Sequence, residues 1–159
     1  MVHIYAAGVA GTRAKDAPPP PAGYGTVAVA HGRQIFHTAG QIIAGRTRNV
    51  KTTTDNLADL VAFTRALQWA AAHALARGAP VCVRYSNEYA ARIATGAWKA
   101  KKHKAMAEEA RQAWAQLRRV SSNRAWMKHT ASRAQHHGMA RQLAINGKRG
   151  ASVYAQVVD

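Results

Sequence analysis

Two runs of period-two alternation, Tyr24 to His31 and Gln34 to Ile43, are separated only by Gly32 and Arg33. So short a link forces the chain back on itself, and the runs predict a β-hairpin closed by a tight turn. A hairpin cannot bury one of its faces alone, so the rest of the chain must supply further strands and a cover. Val2 to Ala7 alternates and ends at Gly8, which reads as a first strand. Between it and the hairpin, Gly11 to Gly23 contains Pro18 to Pro21, a run that continues neither a helix nor a sheet interior.

After a basic connector, Gly45 to Thr52, the period changes. Thr53, Thr54 and Asp55 offer N-caps to a long helix carrying Leu57, Leu60, Val61, Thr64, Leu67 and Ala71 on one face and stopping at Gly78. Val81 to Tyr85 is a continuous apolar, β-branched run suited to a buried central strand. A short helix from about Asn87 to Thr95 closes at Gly96, and Met106, Ala110, Ala113, Trp114 and Leu117 mark another. Arg124 to Lys128 predicts a fifth strand and Gln135 to Ile145 a last helix. An antiparallel meander followed by strands alternating with helices predicts an α/β fold. Its mixed five-stranded sheet has three antiparallel strands, then two parallel, flanked by helices. The length of 159 residues suits one domain, expected over residues 1–147 with 148–159 as a C-terminal extension. Within that extension Ala151 to Val158 alternates weakly, as an added edge strand or a partner-docking segment would.

Charge narrows the function. Lys and Arg number 23 against 7 Asp and Glu, a formal net charge of +16. Such an excess costs self-repulsion in the compact state unless a polyanion neutralises it, which makes RNA or DNA the expected partner. Fifteen of the 23 cations are Arg, whose planar fork suits phosphate oxygens. With 48% hydrophobic residues and four Trp, the chain is no disordered tail. Cys82 is the only cysteine, which excludes an intramolecular disulfide and a cysteine-based zinc finger. His31 with His37, or His129 with His136 and His137, lack compact ligand spacing, so no metal or other cofactor is expected. The longest apolar stretch, Ala66 to Ala76, is interrupted by Gln68 and His73 and falls short of the roughly 20 residues that span a bilayer. Val2 to Ala7 reads as a strand rather than a secretory signal, so an intracellular location without a membrane partner is expected.

The local sequences, taken in this order, resemble the type 1 ribonuclease H domain, including the versions in retroelement polyproteins. Ile4-Tyr5-Ala6-Ala7-Gly8 is similar to the family's I-Y-T-D-G, and Thr53-Thr54-Asp55-Asn56-Leu57-Ala58-Asp59-Leu60 to T-T-N-N-R-x-E-L. Val83-Arg84-Tyr85-Ser86-Asn87-Glu88-Tyr89 resembles V-x-T-D-S-x-Y, and Trp98 to Lys104 the tryptophan and basic segment before the family's fourth helix. Trp126 to Ser132 is similar to W-V-K-G-H-A-G, and Ala140-Arg141-Gln142-Leu143-Ala144 to A-D-x-L-A. The resemblance covers Val2 to about Gly147 and implies a fold whose active members cut the RNA strand of an RNA/DNA hybrid, using two magnesium ions held by four carboxylates.

Carried over position by position, the four ligands become Ala7, Asp59, Ser86 and Arg141. One Asp against one Arg sums to zero formal charge, where two divalent cations need dense negative charge. The family's flexible-loop histidine aligns with Thr130, one residue after His129. A substitute site would have to draw on Asp55, Asp59 and Glu88; otherwise Asp55 serves the helix N-terminus and Asp59 is a solvated remnant. The resemblance also implies a basic protrusion that grips nucleic acid, here Lys99, Lys101, Lys102 and Lys104 beside Trp98. Arg118, Arg119, Lys128 and Arg133 would extend it. Asn56 stands where the family reads the minor groove, whereas Arg13 and Glu88 replace neutral contacts there. Arg141 would contact a phosphate or pair with Asp59. Trp69, Trp114 and Trp126 are expected in the core, whereas for Trp98 the choice between core and stacking platform stays open.

The expected function is therefore that of a non-catalytic RNA-binding protein, a domesticated retroelement domain placed beside neighbouring proteins in a large ribonucleoprotein such as a divergent or organellar ribosome. Its RNA would be rRNA, and an acid-poor, Arg-rich chain also suits a mitochondrion. The alternative is a ribonuclease H-type hydrolase or hybrid binder with a degraded, rebuilt or engineered-out metal site.

Overall fold

A computed structural model describes residues 1–74, 78–131 and 133–156. The hairpin forms as β2 (Ala22–Ala30) and β3 (Arg33–Ile42), paired antiparallel. Its turn is His31-Gly32, both at positive φ (53° and 72°), one residue earlier than the Gly32-Arg33 expected. Two successive left-handed residues match the right-handed twist of the flanking strands, and Arg33 is thereby free to begin β3. β1 (Val2–Val9) lies antiparallel to β2, and on its other edge runs parallel to β4 (Val81–Tyr85); β5 (Ala125–His129) is parallel to β4.

Among the described residues the sheet has six strands rather than five. Residues Val153–Gln156 form β6, antiparallel to β3 from Phe36↔Gln156 to Ala39↔Val153, giving the order β5-β4-β1-β2-β3-β6. Thr38 Oγ1 donates to the Val153 carbonyl at 2.8 Å, and the Tyr154 ring meets the Phe36 ring edge-on at 5.1 Å. Phe36 in turn stacks on Trp69 at 4.5 Å, so the weakly alternating tail gains an aromatic anchor from the core side of the sheet. Residues 157–159 of the expected tail lie outside the described residues.

Among the described residues four α-helices cover the faces. α1 (Asp55–Trp69) is capped by Thr54, whose Oγ1 accepts the Leu57 N–H at 3.1 Å, and it continues as a π-helical turn over Ala70–Ala74. The approach to the expected stop at Gly78 crosses residues 75–77, outside the described residues; Gly78 itself has φ 71°. α2 (Glu88–Thr95) starts at Asn87 and ends on left-handed Gly96, as its sequence predicts. α3 (Lys104–Val120) packs with α1 and α2, and Leu57, Leu60, Phe63, Leu67, Ile93, Met106 and Leu117 bury the main core between these helices and Ile4. α4 (Gln135–Lys148) runs three residues past its expected end at Ile145 and lies on the opposite face, across β1, β2 and β3.

Alternation along β1 divides its side chains between the layers: Val2, Ile4 and Ala6 join the α1 side, while Ala7 joins Val27, Val29 and Ala140 under α4. The α4 layer is thin in side chains because the helix approaches the strands closely. A Cβ at Gly23 would overlap the Ala144 carbonyl, so the absence of a side chain there sets the docking distance. Trp126 departs from expectation: it stands on the outermost strand β5 and is 39% exposed, because α4 packs mainly on β1, β2 and β3. Trp69 is buried, and Trp114 packs half-buried against the core. Among the described residues no helix is long and apolar enough to cross a membrane.

Candidate nucleic-acid interface

Hydrogen bonds draw the ends of β1, β4, α1 and α4 to one corner. The Gly8 N–H donates to Asp59 Oδ1 and the Asn87 amide to Asp59 Oδ2, each at 2.8 Å. A Cβ at Gly8 would overlap the Ala58 carbonyl, so β1 and α1 meet there backbone to backbone. On the far side of the sheet, Ser86 Oγ and His137 Nε2 are 2.9 Å apart, which ties the end of β4 to the first turn of α4. The four expected positions, Ala7, Asp59, Ser86 and Arg141, are thus brought to this corner.

The donor set there does not fit a pair of magnesium ions. Ala7 offers a buried methyl group, Ser86 is engaged with His137, and Arg141 brings a cation. Both oxygens of the remaining carboxylate already accept hydrogen bonds. Burial pushes the Asp59 carboxyl above the usual carboxylate range; the bonds from Asn87 and Gly8 oppose that, and Asp55 adds to it. The substitute site does not assemble either. Asp55 accepts the Ala10 N–H at 3.1 Å, and Glu88 pairs with Arg92 at 2.9 Å along α2. Among the described residues no three His, Cys, Asp or Glu side chains gather to hold a metal ion.

Two further expectations are corrected. Asp59 is not a solvated remnant but a half-buried acceptor that joins three elements. Arg141 does not pair with it: the two oxygens take the Gly8 and Asn87 donors, and Arg141 is exposed on α4. Its charge acts instead on His137, one turn back on the same helix. His137 is 3% exposed, and burial first, then Arg141, holds its imidazole below the usual histidine range.

A folded-state pKa below the unfolded one means that the unfolded chain binds more protons, so stability rises with pH across that interval. Acidification from pH 7 through the ordinary histidine range is therefore expected to destabilise the fold, by at most about 1.4 kcal/mol per pH unit for each such histidine. His3 and His103 shift in the same direction. In urea titrations at successive pH values, His137→Gln should flatten this slope; an unaltered slope would show that folding does not move the His137 pKa.

Beside the corner lies a channel of about 480 Å³ lined by Trp98, Lys99, Lys101, Lys102, His103, Thr54, Asn56, Tyr89 and Ile93. Trp98, undecided from the sequence, is 45% exposed. His103 adopts φ 56° at the start of α3, and its ring lies 3.3 Å from Thr54 Oγ1, fixing the lysine segment against the N-cap of α1. Asn87 connects channel and corner: its amide donates to Asn56 Oδ1 at 3.1 Å as well as to Asp59. Reading the sequence located Asn87 as a helix start but missed this bridge, since the amide partners lie 28 and 31 residues away.

The other candidate cations do not line this channel. Lys104 is exposed in the first turn of α3 but outside the channel lining. Arg118 and Arg119 sit at the opposite end of that helix, roughly 20 Å away. There Arg118 donates to the Ala125 carbonyl at 2.6 Å and lies over the Trp114 ring, and Arg119 donates to Gln116. Arg13 donates to the Ala17 carbonyl within its loop at 2.9 Å. Lys128 is exposed on β5 and Arg133 in the segment that follows it. His129 ends β5 against the Tyr85 ring at 5.7 Å, while Thr130 is buried.

Solved structures share this architecture. LC11-RNase H1, isolated from compost by a metagenomic approach, is 22% identical over 93% of this chain and 95% of its own, with a TM-score of 0.68. RNase H1 from the halophilic archaeon Halobacterium salinarum is 24% identical over 94% of this chain and 98% of its own, with a TM-score of 0.61. LC11-RNase H1 in complex with an RNA/DNA hybrid matches at 22% identity over 94% and 97% of the two chains, with a TM-score of 0.66. The chain has the ribonuclease H-like fold. No family model and no curated protein matches it significantly.

Proposed function

We propose that this chain is a non-catalytic RNA-binding protein that uses the ribonuclease H-like scaffold to hold RNA within a large intracellular ribonucleoprotein, of the kind a divergent or organellar ribosome represents. One observation carries the reading: a lysine- and tryptophan-lined channel lies beside a corner whose donors do not suit the metal pair of a hydrolase. The channel supplies three ammonium groups and an exposed indole, a combination that suits a phosphate backbone with a sugar laid against it. The net charge of +16 supports a polyanionic partner, and its spread over several surfaces suits a protein enclosed by RNA and neighbouring proteins.

RNA/DNA hybrid is the other nucleic acid to weigh, because a solved structure of similar fold is a complex with one. Arg13 and Glu88, expected in place of neutral minor-groove contacts, weigh against hybrid selectivity, since Glu88 sets a carboxylate on α2 near the channel residue Tyr89. Ultraviolet crosslinking of the native protein followed by sequencing of the attached RNA tests the proposal. One dominant structured RNA is expected; crosslinks spread over messenger RNA, or none, would overturn the ribonucleoprotein reading.

A further inference from the structure

α4 packs mainly across β1, β2 and β3, so the same face of β4 and β5 lies beyond its main contacts, with Cys82 buried there and Trp126 and Lys128 exposed. Strand register sets the side chains of this half-face in two rows, His3–Cys82–Trp126 and Tyr5–Arg84–Lys128. Neighbours within a row stand roughly 4.8 Å apart. Arg84 donates to His3 Nδ1 at 3.2 and 3.3 Å, and burial, then the Arg84 charge, keep the His3 imidazole below its ordinary range. The Tyr5 ring meets His136 of α4 at 5.3 Å, which bounds the half-face on its inner side.

Two properties select an occupant. β1, β4, β5 and α4 contain no Asp or Glu, so nothing on these elements offsets Arg84 and Lys128, and the face suits a polyanion. Its two rows contain no aliphatic side chain, so an amphipathic helix would find no apolar stripe to match. An exposed indole on a flat, cationic sheet suits an unpaired base, which can lie on the ring while flanking phosphates reach the cations. Duplex bases are stacked on each other and cannot do so.

We propose that the open half-sheet of β4 and β5 is a second nucleic-acid surface, specific for a single strand, with a base stacked on Trp126 and neighbouring phosphates on Arg84 and Lys128. It lies on the face opposite the lysine channel and does not depend on that channel's role.

Fluorescence anisotropy with the full chain, a labelled eight-nucleotide oligouridylate and a labelled RNA duplex tests this. Trp126→Ala is expected to weaken oligouridylate about tenfold and leave the duplex within twofold, while Trp126→Phe retains most single-strand affinity. Lys128→Glu, at an exposed position, should produce the same selective loss and serves as the readout if Trp126→Ala does not fold. Reversing Lys99, Lys101 and Lys102 to Glu should do the opposite, weakening the duplex and sparing the oligouridylate, so the two surfaces can fail separately. Absent oligouridylate binding at low salt, equal losses on both ligands in Lys128→Glu, or a dimer that Trp126→Ala converts to monomer would each overturn the proposal.

Discussion

Incubated with labelled RNA/DNA hybrid and magnesium or manganese, the protein is expected to release no product above a buffer control. Two-metal hydrolysis needs ligands that hold both cations and polarise the attacking water, and the corner offers one carboxylate whose oxygens are already bonded to Gly8 and Asn87. Removing metal-site ligands that act as a unit costs orders of magnitude in rate. Single restorations should therefore fail. Ala7→Asp places a carboxylate in the small apolar cluster beneath α4, and Ser86→Asp sacrifices the bond to His137. Ala7→Asp, Ser86→Asp and Arg141→Asp combined with Asp59→Glu is the smallest change that rebuilds the ligand set implied by the family resemblance. Turnover by the unaltered protein that disappears in Asp59→Asn would sink the non-catalytic reading outright.

Raising salt from 50 to 200 mM should lower RNA affinity about a thousandfold if roughly six phosphates are neutralised, because each contact releases condensed counterions. The channel lysines are the proposed source of much of that slope. With Lys99, Lys101, Lys102 and Lys104 all reversed to Glu, log affinity against log salt should become markedly flatter for duplex and structured RNA. Lys104 lies outside the channel lining, so reverting it alone to Lys should restore less than reverting Lys101 or Lys102. An unchanged slope in the fourfold variant would show the cluster to be merely a solvated face.

What the sequence made legible follows from the range over which each signal acts. Local signals held up: Thr54 caps α1, Gly96 terminates α2, and the alternation of β2 and β3 places the hairpin within one residue of its turn. Features that depend on distant neighbours did not. The aromatic Trp126 in a strand says nothing about whether a helix crosses that strand, and α4 packs mainly on β1, β2 and β3. The Ser86–His137 pair spans 51 residues and involves a position at which the resemblance directed attention only to a lost ligand. The Arg141–Asp59 pairing failed because opposite charge was a weaker criterion than the nearby Gly8 and Asn87 donors. Likewise β6 could not be chosen over a docking tail until Phe36 and Trp69 were seen to prepare its place.

The position of β6 gives the molecule a mechanical asymmetry. The amino-terminal strand is locked between two neighbours at the centre of the sheet, while the carboxy-terminal strand has four residues and one neighbour. A translocating unfoldase that pulls on the carboxyl end would meet the weaker attachment first. It would peel β6 away and expose the hydrogen-bonding edge of β3 before loading the central strands, whereas pulling from the amino end would engage the most strongly held strand at once.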